Sequence, residues 1–231
     1  NRTVRAISFV GSTAVGEYIY QQGAKYGKRV QANLGAKNHG VILPDADRVN
    51  VIKALTGAAF GAAGQRCMAL SVAVFVGEAS QWIPDLVESA RALKVGAGHD
   101  VGVDVGPLIS ATAKERVESI IAKAVDQGAE LLLDGRGVSV QGYEKGNFLG
   151  PTVLQIRDTN NIAYTQEIFG PVLTCLVVDT LQEAIDLVNA NEFGNGCGLF
   201  TSSGAAARKF TNEIECGQVG INGRSQASLF H

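Results

Sequence analysis

Residues 40–76, GVILPDADRVNVIKALTGAAFGAAGQRCMALSVAVFV, decide the fold. The stretch opens on a short apolar run, Gly40–Leu43, and closes on a β-branched one, Ser71–Val76. Between them Val49, Ile52, Leu55, Ala58, Ala59 and Ala62 recur at helical spacing, with Asp45 and Asp47 ahead as cap candidates. Strand, helix and strand in that order predict a parallel pair joined by a crossover, and hence an α/β fold with a largely parallel sheet.

The same alternation extends outward. Further strands are expected at 6–10, 29–34, 131–133, 153–156, 172–178, 198–201 and 219–222. Val117, Ile120, Ile121 and Ala124 predict a second helix, ended by a left-handed Gly128. Thr180 with Glu183 three residues on forms a capping-box signature ahead of Ala184, Ile185 and Val188. The Gly-rich stretch 94–106 reads as a loop, and so does 134–150, with room for a short hairpin. A domain boundary is expected near Gly35-Ala36-Lys37, giving one unit at 1–36, a second at 37–222 and an atypical tail at 223–231.

Bulk composition narrows the function. Of 231 residues, 46% are hydrophobic and 18% charged, enough apolar surface for a sizeable core. A net charge of −2 argues against a nucleic-acid partner or an anionic membrane held by bulk electrostatics. No apolar run approaches the roughly 18 residues that a membrane span needs. Cys67, Cys175, Cys197 and Cys216 are scattered without a C-x-x-C or a Cys/His cluster, which argues against both a disulfide scaffold and a zinc site. The start, Asn1-Arg2-Thr3-Val4, carries no initiator Met and no leader pattern, so a fragment is expected.

Three local motifs could carry chemistry. Phe9-Val10-Gly11-Ser12-Thr13-Ala14-Val15-Gly16 runs from a strand into a helix, so N–H groups of the first turn and the Ser12 hydroxyl could hold a phosphate. It matches neither the P-loop nor G-x-G-x-x-G, and from local pattern alone an ordinary N-capped helix is the favoured reading. Gly64-Gln65-Arg66-Cys67-Met68 places a cysteine beside an arginine and near glycine, a setting that favours thiolate, although a lone cysteine is more often structural. Cys175, within an apolar strand, reads as core. Glu167 in Glu167-Ile168-Phe169-Gly170-Pro171 precedes a turn into a strand, where a solvated glutamate is the ordinary reading. His39, His99 and His231 share no metal or triad spacing.

Taken in order, the strand–helix turn at Gly11, then Asn33-Leu34-Gly35-Ala36-Lys37, then Gln65-Arg66-Cys67, then Glu167–Pro171 resemble the aldehyde dehydrogenase superfamily over residues 4–222. The runs 27–40 and 61–69 most resemble its CoA-acylating methylmalonate-semialdehyde dehydrogenases, in their carboxyl-terminal half. The resemblance implies a Rossmann-type cofactor domain ending at residue 36 and a thiol domain at 37–222. It further implies that Cys67 is the nucleophile and that its main-chain N–H is half of an oxyanion hole. Gly11, Ser12 and Gly16 would hold the pyrophosphate of NAD, while Leu34 and Gly35 would lie near the nicotinamide. Glu167 would bind the nicotinamide ribose, with Phe169 beside the ring.

Asn33 stands where hydrolytic members carry a Glu general base, and an amide cannot take a proton near neutral pH. Loss of that base favours thioester transfer to coenzyme A over hydrolysis. The resemblance further implies decarboxylation of the acyl group, so that methylmalonate or malonate semialdehyde yields propionyl-CoA or acetyl-CoA. Arg66 could steer the substrate carboxylate, or only tune the thiol or make a structural ion pair. An inactive fragment or interaction module, and a hydrolytic aldehyde dehydrogenase, are the alternatives. The resemblance also implies a homo-oligomer, with a tetramer expected, in the mitochondrial matrix if the source is eukaryotic and the cytoplasm otherwise. Earlier Rossmann strands, an oxyanion Asn and an adenosine-ribose Lys are expected upstream, and the pairing segment is expected to be missing after Gly223.

Overall fold

A computed structural model describes residues 1–223, so most of the sequence tail at 223–231 lies outside the described residues. The chain divides into two compact units, 1–36 and 37–231.

The first unit is β1 (Ala6–Val10), α1 (Thr13–Lys25) and β2 (Arg29–Asn33), with β1 and β2 parallel and Val10 opposite Asn33. Its glycines set its tightness. A Cβ on Gly16 would stand 1.8 Å from Leu34 Cδ2, and one on Gly23 would stand 2.3 Å from Val30 Cγ2, so α1 rests on β2 with no room for a side chain between them.

The second unit begins with β3 (Asn38–Ile42), α2 (Arg48–Phe60) and β4 (Leu70–Val76), the βαβ expected from residues 40–76. It continues with α3 (Ile83–Arg91), α4 (Ala111–Asp126), β5 (Glu130–Leu133), β6 (Thr152–Gln155) and α5 (Ile162–Thr165). It closes with β7 (Val172–Val178), α6 (Leu181–Asn189), β8 (Gly196–Phe200), α7 (Gly204–Glu213) and β9 (Gln218–Ile221). Seven strands form one sheet in the order β5-β6-β7-β4-β3-β8-β9, parallel except for β5. Val72, Ala73, Val74 and Phe75 have no exposed surface. Successive strand residues point to opposite faces, so a continuous buried run means that β4 is covered on both. Helices α2 and α6 both pack on β4 and β7.

The helix ends follow their sequence signals. Asp47 caps α2 by accepting the Asn50 N–H at 3.1 Å, while Asp45 instead takes hydrogen bonds from Thr201 and Ser202. Thr180 accepts the Glu183 N–H at 3.2 Å, and Glu183 reaches back to the Asp179 N–H at 2.8 Å, closing the box. Gly128 takes φ +91 after α4, as a left-handed terminator should. One expectation changes. Residues 134–150 fold into successive turns rather than a hairpin, pinned by the Gly150 N–H on the Gly135 carbonyl at 2.8 Å. Loop 94–106 closes on itself through a single bridge between Val95 and Val105.

Candidate active site

In the first unit the expected binding residues gather at the carboxyl ends of β1 and β2, where parallel sheets commonly receive ligands. The Gly11 N–H donates to the Asn33 carbonyl at 3.2 Å, and the Gly35 N–H donates to Thr13 Oγ1 at 3.2 Å. Gly11, Ser12, Asn33, Leu34 and Gly35 thus frame the start of α1. Ser12 is the N-cap residue, yet its side chain makes no capping bond. The first intrahelical bond of the turn is Gly16 N–H to the Ser12 carbonyl at 2.9 Å, so the preceding N–H groups of Thr13, Ala14 and Val15 have no acceptor inside the helix. Unused donors, the helix dipole and a spare hydroxyl suit a phosphate anion. At Gly16 the space of the missing side chain is filled by Leu34.

In the second unit the site forms instead at the amino ends of the strands. Cys67 lies in the turn before β4, Asn38 opens β3, Asn195 precedes β8, and Glu167–Pro171 lead into β7. Because β4 has β3 and β7 as neighbours and β8 lies beside β3, four chain segments converge there from distant parts of the sequence.

The Cys67 turn is strained and gripped. After α2 the backbone reverses hand: Ala62, Ala63 and Gly64 take φ of +52, +53 and +68. Left-handed geometry costs an L-residue about 1–2 kcal/mol, and such strain persists only where surrounding contacts impose it. One such contact is visible. A Cβ on Gly64 would fall 2.1 Å from the Gly170 carbonyl oxygen, so the backbone before Cys67 presses directly on the Glu167–Pro171 turn. Gly170 in turn leaves space for Val117 of α4, whose Cγ2 would stand 2.8 Å from an added Cβ. Arg116, next to it, donates to the Glu167 carbonyl at 3.2 Å and also to the Ile168 carbonyl. Phe169 is held at φ +53 and is 41% exposed.

The carbonyl of Cys67 accepts two amide N–H bonds, from Asn38 Nδ2 at 2.8 Å and Asn195 Nδ2 at 2.9 Å. Asn38 Nδ2 also reaches the Ala69 carbonyl at 2.8 Å, while its Oδ1 is buried without a partner among the described residues. An unsatisfied buried acceptor costs about 1–3 kcal/mol, and turning the amide over would set Oδ1 against two carbonyl oxygens instead. Gln65 fastens the other side, accepting the Ile109 N–H at 2.9 Å. Of the cysteines, Cys67 is exposed, Cys175 and Cys197 are buried, and Cys216 is half-buried. Burial pushes the Cys175 thiol up to about 12, as expected of a core filler.

Arg66 turns toward helix α2. Its Nη2 donates to the carbonyls of Ala58 at 2.8 Å and Gly57 at 3.3 Å, capping the helix end, and its Nε is buried without a partner among the described residues.

Beneath the Glu167 turn lies a polar cluster of Lys37, His39 and Tyr164, to which the sequence motifs assign no role. Lys37 is almost completely buried and donates from Nζ to the Gln166 carbonyl at 2.6 Å. Burial lowers its pKa to about 7, against an opposing pull from the Glu167 carboxylate. His39 shares a 3.1 Å hydrogen bond with Tyr164 Oη, and burial together with Lys37 lowers its pKa to about 3. Arg116 and Asn195 lie in no motif, and Asn38 lies in the run 27–40 with no role assigned to it. Each acts on residues 29 to 128 positions away, and no local pattern signals that. Among the described residues no helix is long and apolar enough to cross a membrane, and no cluster of His, Cys, Asp or Glu could hold a metal.

The profile of the aldehyde dehydrogenase family matches residues 1–230. The chain is 57% identical over 219 residues to the human mitochondrial methylmalonate-semialdehyde/malonate-semialdehyde dehydrogenase [acylating], covering 95% of this chain and 41% of that protein. The bovine protein of the same name matches at 57% over 219 residues, again with 95% of this chain and 41% of the relative covered. Among solved structures, methylmalonate-semialdehyde dehydrogenase from Oceanimonas doudoroffii superposes with a TM-score of 0.94 at 46% identity, over 98% of this chain and 47% of that one. A betaine aldehyde dehydrogenase from Staphylococcus aureus in complex with NAD+ superposes at 0.93 and 29% identity, over 96% of this chain and 44% of the other. The chain therefore spans less than half the length of these relatives.

Proposed function

We propose, since the chain belongs to the aldehyde dehydrogenase family, that it is the thiol-bearing part of an NAD-dependent enzyme that oxidises methylmalonate or malonate semialdehyde and passes the acyl group to coenzyme A. The observation that carries this reading is the state of Cys67: an exposed thiol on a strained turn whose carbonyl is clamped by two buried or half-buried amides.

The chemistry follows from the residues. Cys67, as thiolate, attacks the aldehyde carbon and forms a thiohemiacetal, whose oxyanion is met by the Cys67 main-chain N–H. Collapse of that adduct restores the carbonyl and expels hydride from carbon, leaving an acyl thioester on Cys67. Bound NAD would supply the hydride acceptor. The first turn of α1 with Gly11, Ser12 and Gly16 is the group proposed to hold its pyrophosphate, and the donor set there suits an anion. Leu34 and Gly35 would border the nicotinamide, Glu167 would bind its ribose and Phe169 would lie against the ring. The carbonyl bonds from Arg116 and Lys37 support that assignment by fixing the backbone that presents Glu167 and Phe169.

Asn33 governs the fate of the thioester in this reading. A positioned general base is worth about 10²–10⁴-fold in rate, and an amide cannot serve as one. Water is therefore slow, while a free thiol with pKa near 8.5 is already a few per cent thiolate at pH 7. On family grounds the acyl chain also loses its carboxylate as carbon dioxide, its α-carbon taking up a proton. The coenzyme A thiolate attacks the thioester carbonyl, Cys67 leaves as thiolate, and the acyl group departs as propionyl-CoA or acetyl-CoA. Arg66 is proposed to present its remaining guanidinium N–H groups to the substrate carboxylate while Nη2 stays on α2.

The human and bovine relatives carry mitochondrial in their names, which supports a matrix location for this protein if its source is eukaryotic. Assembly into a homo-oligomer is proposed on family grounds. The test is to supply NAD and malonate semialdehyde with and without coenzyme A and follow NADH. CoA-dependent turnover lost in Cys67→Ser supports the reading, whereas full turnover without CoA identifies a hydrolytic enzyme.

A further inference from the structure

Asn195 belongs to none of the groups that touch substrate or cofactor in the reading above, yet its side chain hydrogen-bonds the nucleophile's own carbonyl. Its Nδ2 lies 2.9 Å from the Cys67 carbonyl oxygen and 3.1 Å from Met68 Sδ. Its own backbone is fixed: the Asn195 carbonyl accepts the Gln218 N–H at 3.1 Å, and the neighbouring Gly194 carbonyl accepts the Gly217 N–H at 2.8 Å. The amide is thus presented from a rigid frame at the amino end of β8, two strands from the one that Cys67 leads into.

The Cys67 carbonyl is held from two sides. Asn38, buried at the start of β3, spends its amino group on the carbonyls of Cys67 and Ala69, and Asn195 takes Cys67 from the half-exposed rim. Two donors converging on one carbonyl oxygen fix the peptide plane that follows Cys67, and with it one of the two backbone supports of the Cα that carries the thiol. Asn38 alone would leave that plane free to tilt toward the rim.

We propose that Asn195 is a positioning residue for the Cys67 thiol, acting through the Cys67 carbonyl and the Met68 sulfur; this rests on Cys67 being the nucleophile. The role needs donor N–H groups at that point, not merely a side chain of that shape. Asparagine and aspartate are isosteric, so the pair Asn195→Asp and Asn195→Ala separates the two possibilities.

The test is the second-order rate of iodoacetamide alkylation at Cys67 in this chain, read by peptide mass spectrometry between pH 6 and 10 and divided by the rate at Cys216 in the same sample. Loss of one hydrogen bond corresponds to roughly 3- to 10-fold. Asn195→Ala is expected to slow Cys67 by about that factor. Asn195→Asp is expected to be slower still and to shift the profile to higher pH, because a carboxylate then faces the carbonyl and opposes the thiolate. In the assayed enzyme, kcat should fall in the same order with the aldehyde KM changed less than about twofold. Aspartate behaving like wild type while alanine does not would assign Asn195 to packing and overturn the proposal, as would both variants staying within about twofold of wild type. Should Cys67→Ser retain aldehyde oxidation, the nucleophile assignment fails by itself, while the alkylation order still reports whether Asn195 orients the thiol.

Discussion

Replacing Gly64 by alanine should damage this protein out of proportion to one methyl group. Gly64 sits at φ +68, where an L-residue pays about 1–2 kcal/mol. Its new Cβ would lie 2.1 Å from the Gly170 carbonyl oxygen and 2.6 Å from the carbonyl carbon. Both are backbone atoms, so the overlap can be relieved only by moving a chain segment, and overpacking of that kind costs about 1–3 kcal/mol. The sum is about 2–5 kcal/mol. With a urea m-value of about 2 kcal/mol/M, the midpoint should fall by about 1–2.5 M. Trp82, the chain's one tryptophan, lies in the second unit and reports its unfolding by fluorescence. Gly57→Ala is the control: Gly57 lies inside α2 with nothing within 4 Å of an added methyl, so alanine should be neutral or stabilise by about 0.5–1 kcal/mol. Equal midpoints for the two variants would refute the claim that the Cys67 turn presses on the Gly170 turn.

Other perturbations have equally definite outcomes. Lys37 is held near pKa 7 against 10.5 when free, so between those values the unfolded chain binds the extra proton and stability rises with pH. At about 1.4 kcal/mol per unit the full span is about 5 kcal/mol, and urea midpoints at pH 7, 8 and 9 should climb in wild type and stay flat in Lys37→Met. Arg66→Ala removes the donors on the Ala58 and Gly57 carbonyls and should cost about 1–2 kcal/mol in the same assay. If that variant also keeps its preference for carboxylated over neutral aldehydes, Arg66 is a helix cap and not a substrate ligand. Asn33→Glu should raise NADH formation without coenzyme A by about 10²-fold or more, measured by absorbance of the reduced nicotinamide.

Much of the fold is readable because a buried parallel sheet is written in uninterrupted apolar runs. Val172–Val178 and Ala6–Val10 match their strands to the residue, and the remaining strands fall within two. Helices α3, α5 and α7 are the elements that the periodicity does not announce. In α7 only Phe210 is buried, so Gly204–Glu213 offers little apolar period to detect. In α3 a proline sits in the first turn, and the apolar positions Ile83, Leu86, Val87 and Ala90 stand in its shadow. The hairpin allowed in residues 134–150 fails because its glycines and Asp134 close turns instead, Asp134 binding the Arg136 side chain at 2.9 Å.

The candidate site is legible only where residues carry their own signature. Cys67, Glu167 and the Gly11 turn stand out through motif order. Asn38, Asn195 and Arg116 do not, since an asparagine before a strand or an arginine on a helix looks like ordinary surface until the sheet order brings it to the Cys67 and Glu167 turns. At Gly16 the packing adds what no motif announces: the space of its missing side chain holds Leu34.

The acyl enzyme itself is the most direct target. The protein that carries this chain would be mixed with NAD and malonate semialdehyde without coenzyme A, quenched in acid and digested for mass spectrometry. An acyl adduct on the peptide containing Cys67, discharged when coenzyme A is added before the quench, is the predicted result. Turnover to NADH with Cys67 recovered unmodified, or undiminished turnover after Cys67 is alkylated, would contradict it.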